Sequence, residues 1–411
     1  MSNGNLVLTT ESYKAGSFIF IEGQKDSKNF YIIKSGKVQI IKEFQIIDEE
    51  GEGILNPGDF FGVVSCMSGH PRIETVKALT DVVLISILRD QFGELIRRNA
   101  PVALKIIKSF SKKLRFFDTE ITRRTLKQAS EENPELLFNI GEYYFNTKQF
   151  NKAAYAYQKF IKYCPNHPNV DQAKLKLRNM GMPFEAPEIK STGLIKQFPN
   201  DTMIFSEHEP GDELYVIQQG KVKITKIINN QEVLLAVLQP GDIFGEMALL
   251  ENKPRSASAI AYGDVVALTV NNANFQNMVV SQPQIATKLI QLLSERIWTA
   301  YKQLENLLFK DPLARLYHTL MTQVLKKKIP IEHKQEHLFD FGPQELIKMV
   351  GLPPDEGNLL IKKLFENKKF KLVDGKIHIS DLEELEKQVN YYKKMQELEA
   401  KREMASGKNI T

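Results

Sequence analysis

NFYIIKSGKVQI at residues 29–40 returns as ELYVIQQGKVKI at residues 213–224. A repeat of this length decides the organisation of the chain before any other signal, because it makes one folding unit occur twice. The register carries on: LNPGDFFG at 55–62 matches LQPGDIFG at 238–245, and HPRIET and KPRSAS bring Arg72 and Arg255 into equivalent positions. Within each copy, short runs rich in Val, Ile, Phe and Tyr are broken by Gly, Pro, Asn and Asp. That pattern predicts many short strands joined by tight turns, a β-roll or barrel.

Each barrel runs on into a helical stretch, GELIRRNAPVALKIIKSFSKKLRFFDTEITRR at 93–124 and IATKLIQLLSERIWTAYKQLENLLF at 285–309. In the second, Ile290, Ile297 and Leu304 recur every seven residues with Leu293, Ala300 and Leu307 offset by three, the seam of a short coiled coil. Two readings follow: a homodimer through the 285–309 helix, or packing of this face on the protein's own barrel. Between the copies, residues 133–180 turn helical and rich in Tyr, Ala and Lys. Leu137, Gly141, Tyr144, Ala153, Tyr157 and Pro165 fall at the spacing of one tetratricopeptide unit, which this segment resembles. One repeat cannot bury its own face. The segment reads as a helical spacer or a surface for a protein partner, with a linker packed on the neighbouring barrels as the alternative.

Composition sets the outer limits. The 42% apolar and 26% charged content, with 23 Gly and 18 Pro, excludes collagen-like and low-complexity chains. A net charge of +5 over 411 residues implies neither nucleic acid nor membrane by itself. Two cysteines, Cys66 and Cys164, are too few for a four-thiolate metal site or a disulfide framework and fit a reducing cytoplasm. The opening MSNGNLVLTTESYK has no basic segment leading into an apolar one, and no run reaches 18 apolar residues, so neither export nor a membrane span is expected.

FGEMALLENKPRSASA at 244–259 carries the chemistry. A cyclic phosphodiester is a compact anion, and a guanidinium fork with backbone N–H donors in a glycine-opened turn suits it. The stretch resembles the phosphate cassette of cyclic nucleotide-binding domains. The resemblance implies a ligand site at Gly245, Glu246, Met247, Ala248, Arg255, Ser256 and Ala257. Arg255 would grip the phosphate, Glu246 would accept the ribose 2′-hydroxyl, Ser256 would add a hydroxyl, and Ala248 and Ala257 would leave room. The family places the base against the long helix near Thr299 to Tyr301. The Thr-Ser pair of catabolite activator proteins aligns with Ala300 and Tyr301, so Tyr301 or Trp298 would instead stack on the base. The effector implied is cyclic AMP first, with cyclic GMP and a cyclic dinucleotide as alternatives.

The first cassette, FGVVSCMSGHPRIETV at 61–76, keeps Arg72 but has Val63 where the glutamate should be. It reads as a degenerate copy, with Arg72 as a second anion site in the other reading. Cys66 within it reads as a small buried thiol.

Residues 341–379, FGPQELIKMVGLPPDEGNLLIKKLFENKKFKLVDGKIHI, read as helix, turn, helix and a two-stranded wing. This resembles the winged helix-turn-helix of the catabolite-activator family, which implies DNA as a partner. The second helix opens Pro353, Pro354, Asp355, Glu356, Gly357, without the base-reading arginine such a helix uses. Glu356 could accept from a cytosine, and Lys362, Lys363, Lys368, Lys369 and Lys371 could hold the phosphate backbone. HKQEH places His333 and His337 four apart, a metal pair if helical; with no third ligand the expectation is solvated histidines and no metal.

The fold expected is α+β and multidomain: two cyclic nucleotide-binding β-rolls with long C-helices, a tetratricopeptide-like helical insert and a C-terminal winged helix-turn-helix. Its parts are a degenerate binding domain at 1–127, the insert at 128–185, the ligand-binding domain with its dimerisation helix at 186–311, the winged helix at 312–380 and a polar helical tail at 381–411. The function expected is a cytoplasmic, non-enzymatic transcription regulator resembling the catabolite-activator and fumarate-nitrate regulator-like family. The alternative is a signalling protein resembling kinase regulatory subunits, which does not bind DNA. Arg97-Arg98-Asn99-Ala100 and Arg123-Arg124-Thr125-Leu126 look superficially like kinase sites but fall in predicted helices. No nucleophile with its base and no phosphate-loop motif points to an enzyme.

Overall fold

Runs of β-branched and aromatic residues bounded by turn residues form the strands of both copies. The structure is a computed structural model that describes residues 8–42, 53–126, 133–180, 189–228 and 230–405. In the first copy one four-stranded sheet orders Thr9–Tyr13, Val82–Leu88, Asn29–Ser35 and Phe60–Phe61. A second orders Phe18–Phe20, Thr75–Ala78, Val38–Ile41 and Ile54–Leu55. Phe20, Tyr31, Ile33, Val38, Phe61, Val76 and Leu84 fill the space they enclose. Helix α1 (Val63–Ser68) carries the first cassette, and α2 (Phe92–Arg98) and α3 (Ala100–Leu126) follow.

The insert forms α4 (Leu137–Asn146), α5 (Phe150–Tyr163) and α6 (Val170–Asn179). Leu137, Tyr144, Ala153, Tyr157 and Phe160 pack into one core, and Met203 of the second barrel belongs to the same cluster. The insert is therefore seated on the second barrel. Tyr144 Oη donates to Glu232 at 2.9 Å, Glu232 N donates to Tyr143 Oη at 3.1 Å, and Lys152 pairs with Asp201 at 2.7 Å. Packing on a barrel, one of the readings open from sequence, is present here.

The second copy is one seven-stranded sheet dominated by Glu213–Ile228 and Ser258–Asn271, antiparallel partners along most of their length. Helix α7 (Glu246–Glu251) carries its cassette, α8 (Asn272–Ser281) follows, and α9 (Pro283–Leu308) is the long helix. Ile290, Leu293, Ile297, Ala300 and Leu304 of its seam are all buried within the single chain.

The remaining chain forms α10 (Pro312–Lys326), α11 (Pro343–Val350), α12 (Pro354–Glu366) and α13 (Leu382–Ala405). A three-stranded sheet orders His337–Leu338, Lys376–Ile379 and Phe370–Val373, with Asp374 and Gly375 at positive φ in the hairpin turn. Leu382, Leu385 and Val389 of the tail join the core formed by Leu316, Leu346, Leu364 and Ile377.

The chain divides into two compact units. One gathers residues 87–297 with the amino terminus, and the other gathers 10–86 with 298–411. These boundaries cut across the repeat. Helix α3 of the first copy is grouped with the second barrel, and the last turns of α9, from Trp298, are grouped with the first barrel. Side-chain chemistry accounts for the exchange. Arg115 of α3 meets Glu251 of the second cassette at 3.0 Å, and Trp298 and Tyr301 of α9 bond to the first barrel.

Candidate functional site

The second cassette is built around Arg255, which is only 4% exposed. Its Nη1 donates to the Gly245 carbonyl at 2.5 Å, and its guanidinium lies 4.2 Å from the centre of the Phe205 ring. Two glycines make this possible. Gly245 begins α7 at φ 77°, the left-handed region, and a Cβ there would come 2.7 Å from the guanidinium. A Cβ on Gly211 would stand 2.2 Å from Arg255 Nε. Arg255 Nε has no hydrogen-bond partner among the described residues. The result is a guanidinium held over an aromatic ring at the mouth of a short helix, with donor capacity to spare for an anion.

Glu246, 1% exposed, is ion-paired with Arg296 of α9, whose Nη2 also lies 3.9 Å from Met247 Sδ. Burial works against the Arg296 charge, but Glu246 and Asp118 beside it outweigh that and hold its pKa above the ordinary value. Burial likewise pushes the half-buried Asp118 carboxyl up to about 6, against the pull of Arg296. From the other side, Ser111 donates to Glu251 at 2.7 Å and Arg115 Nη1 to the Pro254 carbonyl at 3.3 Å. The residue preceding Arg255 is thus held by a helix of the first copy.

Gly245, Glu246, Met247, Ala248, Arg255, Ser256 and Ala257 all lie in this unit. Ser256 and Ala257 are half-buried, and the neighbouring Ser258 accepts from Glu207 N at 2.8 Å. Tyr301 belongs to the other unit. Fully buried, it donates to Glu22 Oε1 at 2.6 Å, while Trp298 stacks on His70 with 4.1 Å between ring centres and donates to the Pro71 carbonyl at 3.3 Å. Both aromatics expected against a base in the second barrel are engaged by the first.

Arg72, 2% exposed, repeats the arginine-on-aromatic arrangement, 4.2 Å over Phe20, with Nη1 donating to the Gly62 carbonyl at 3.1 Å. Here Nη2 is already taken by the backbone and side-chain oxygens of Asn29, at 2.8 and 3.1 Å. Glu74 accepts from Gly62 N at 3.1 Å, so a carboxylate occupies the donor opening this cassette. Burial lowers the Arg72 pKa. Cys66 is fully buried, its thiol 3.3 Å from the Lys28 carbonyl.

Glu356, Lys362, Lys363 and Lys369 are all exposed, as are Asp355 and Leu359 of α12. The 333–337 stretch is not helical. His337 opens a two-residue strand and His333 lies 3.2 Å from Glu383, so the two do not share a helix face. Among the described residues no group of three metal-ligating side chains gathers, and no helix is long and apolar enough to cross a membrane. Arg97 and Arg98 pair with Glu94, and Arg123 and Arg124 with Glu120, within α2 and α3.

Several site residues escape sequence reasoning: Phe205, Gly211, Ser111, Arg115 and Arg296. An arginine within a helical repeat reads as a solvated face, and Arg296, with a side chain 43% exposed, would pass for one. The usable signal was the pairing of Phe20 and Phe205 at equivalent places in the two copies.

These features define a cyclic nucleotide-binding fold, and comparison agrees. The family described as cyclic nucleotide-binding domain matches residues 10–99 and 195–282, and the tetratricopeptide repeat matches 134–167. A CRP-like cAMP-activated global transcriptional regulator of Mycobacterium tuberculosis is 28% identical over 189 residues, 46% of this chain and 84% of that protein. A cAMP-dependent protein kinase regulatory subunit of Yarrowia lipolytica is 24% identical over 265 residues, 64% of this chain and 52% of that one. A crystal structure of the Thermus thermophilus catabolite activator protein is 27% identical, covering 48% of this chain and 90% of that chain with a TM-score of 0.28. The chain thus carries the cyclic nucleotide-binding domain twice and is similar to regulators of the catabolite-activator type.

Proposed function

We propose that this chain is a non-enzymatic transcription regulator whose second barrel binds cyclic AMP and whose carboxy-terminal module, a winged helix-turn-helix, binds DNA. The observation that carries the reading is the buried Arg255 at the opening of α7, beside the buried carboxylate of Glu246. A cyclic phosphate needs the first and a ribose hydroxyl the second. Val63 gives no ribose acceptor and Arg72 Nη2 is already held by Asn29, although among the described residues Arg72 Nε is as free of a hydrogen bond as Arg255 Nε, so the first barrel is read as structural. The Mycobacterium relative is named as cAMP-activated, which supports cyclic AMP over cyclic GMP.

The helix, left-handed Gly351, helix and hairpin of residues 343–379 support DNA binding, with Lys362, Lys363 and Lys369 toward phosphates. A gel shift with genomic fragments tests it: retention that rises with cyclic AMP and falls with salt is the expected result, and no retention at low salt with or without ligand would contradict it. The second reading, a signalling protein that docks protein instead of DNA, is favoured by one observation. Helix α12 opens with exposed Asp355 and Glu356 and shows Leu359 62% exposed, carboxylates and an aliphatic face where phosphates would lie.

A further inference from the structure

The insert touches the candidate site through one buried carboxylate. Glu209, 5% exposed, lies in the loop before the strand Glu213–Ile228. Its Oε2 accepts from Tyr155 Oη at 2.9 Å and from Ser206 N at 3.0 Å, and its Oε1 meets Lys159 Nζ at 2.5 Å. Tyr155 Oη also lies 3.2 Å from the Ile204 carbonyl. Both donors stand on α5, four residues apart and so on one helix face. The backbone of the same loop pairs with Arg255: Arg255 N donates to the Glu209 carbonyl at 2.8 Å, and His208 N to the Arg255 carbonyl at 2.8 Å. Two residues on, Gly211 is the floor beneath the guanidinium. Burial raises the Tyr155 hydroxyl pKa well above its ordinary value, so it remains a donor across the working pH range.

We infer that Tyr155 and Lys159 are positioning residues for the ligand site: through Glu209 they fix the loop that sets where the Arg255 guanidinium stands. The tetratricopeptide-like insert is then part of the binding machinery of the barrel it sits on. This rests on reading Arg255 as the phosphate-binding group. Loss of Lys159 leaves a buried carboxylate without its cation, and the loop it anchors is free to shift. A displacement of well under 1 Å at an anion-binding fork is enough to weaken it.

The test is calorimetric titration of the full chain with cyclic AMP for Lys159→Met, Lys159→Arg and Tyr155→Phe, each also in an Arg255→Ala background. Lys159→Met is expected to weaken binding by about ten-fold, the cost typical of losing an outer-shell partner. Tyr155→Phe should weaken it less, and Lys159→Arg should restore affinity. In the Arg255→Ala background Lys159→Met should change affinity by less than about two-fold, since a residue acting through another is silent once that one is gone. Unchanged affinity for Lys159→Met and Tyr155→Phe overturns the inference, as does an equal loss with and without Arg255, which marks a merely structural role. If Lys159→Met does not fold, Tyr155→Phe decides. Wild-type protein that takes up no cyclic nucleotide would overturn the reading of the second barrel instead.

Discussion

At the scale of single residues, the two cassettes contrast one arginine in two settings. Arg255 and Arg72 both lie over a phenylalanine and bond to the carbonyl of the glycine opening the helix, but only Arg72 is clasped by an asparagine. Arg255→Ala is expected to cost about 2–5 kcal/mol of ligand binding, roughly thirty-fold to several-thousand-fold in affinity, while Arg72→Ala should leave cyclic AMP affinity unchanged. Equilibrium titration of the two variants checks both statements.

Asp118 supplies a pH dependence. Its folded pKa of about 6 stands above its ordinary value, so the folded state binds the extra proton and the carboxylate destabilises the fold above pH 6 but not below about 4. Asp118→Asn should therefore be more stable than wild type at pH 7.5, and the gain should shrink as pH falls through 6 toward 4. Urea unfolding at pH 7.5 and 4.5 reads the difference.

At the scale of elements, the grouping of α3 with the second barrel and of the last turns of α9 with the first is the feature sequence could not anticipate. The repeat that revealed the barrels encourages assigning each helix to the barrel before it, and hydrophobic periodicity carries no address. What identifies the partner is polar: Arg115 against Glu251, and Tyr301 against Glu22, pairs separated by more than a hundred residues. The strands, the cassette helices and the insert were legible because each rests on a local pattern, such as glycine before a short helix or the tetratricopeptide spacing. The glycine-opened cassette that carries Arg255 and Glu246 was legible for the same reason. Their supports were not, because Gly211, Arg115 and Tyr155 reach the site only through tertiary packing. Arg115→Ala, leaving the buried Glu251 with only the exposed Lys253, at 4.0 Å, as a cation among the described residues, should lower stability by about 3 kcal/mol, as measured by urea denaturation.

At the scale of the whole molecule, the α9 seam bears on assembly. A homodimer through residues 285–309 was the expectation from the heptad spacing, yet Ile290, Leu293, Ile297 and Leu304 are already sealed inside one chain. A second copy could use this face only by opening the protein. Light scattering coupled to gel filtration should therefore report the 47.0 kDa of a single chain; a dimer abolished by Leu293→Asp, with the chain still folded, would show the seam joining copies. Within one chain, α9 carries Arg296, which holds Glu246 in the candidate site, and two residues later Trp298, which holds the first barrel. In the proposed function, a ligand that takes over Glu246 would release Arg296 of α9.

In the proposed function the second barrel alone senses the nucleotide. Calorimetric titration of the intact chain with cyclic AMP decides it: about one site per chain is expected, lost in Arg255→Ala and kept in Arg72→Ala. Two sites per chain, or one that survives Arg255→Ala and disappears with Arg72→Ala, would contradict it.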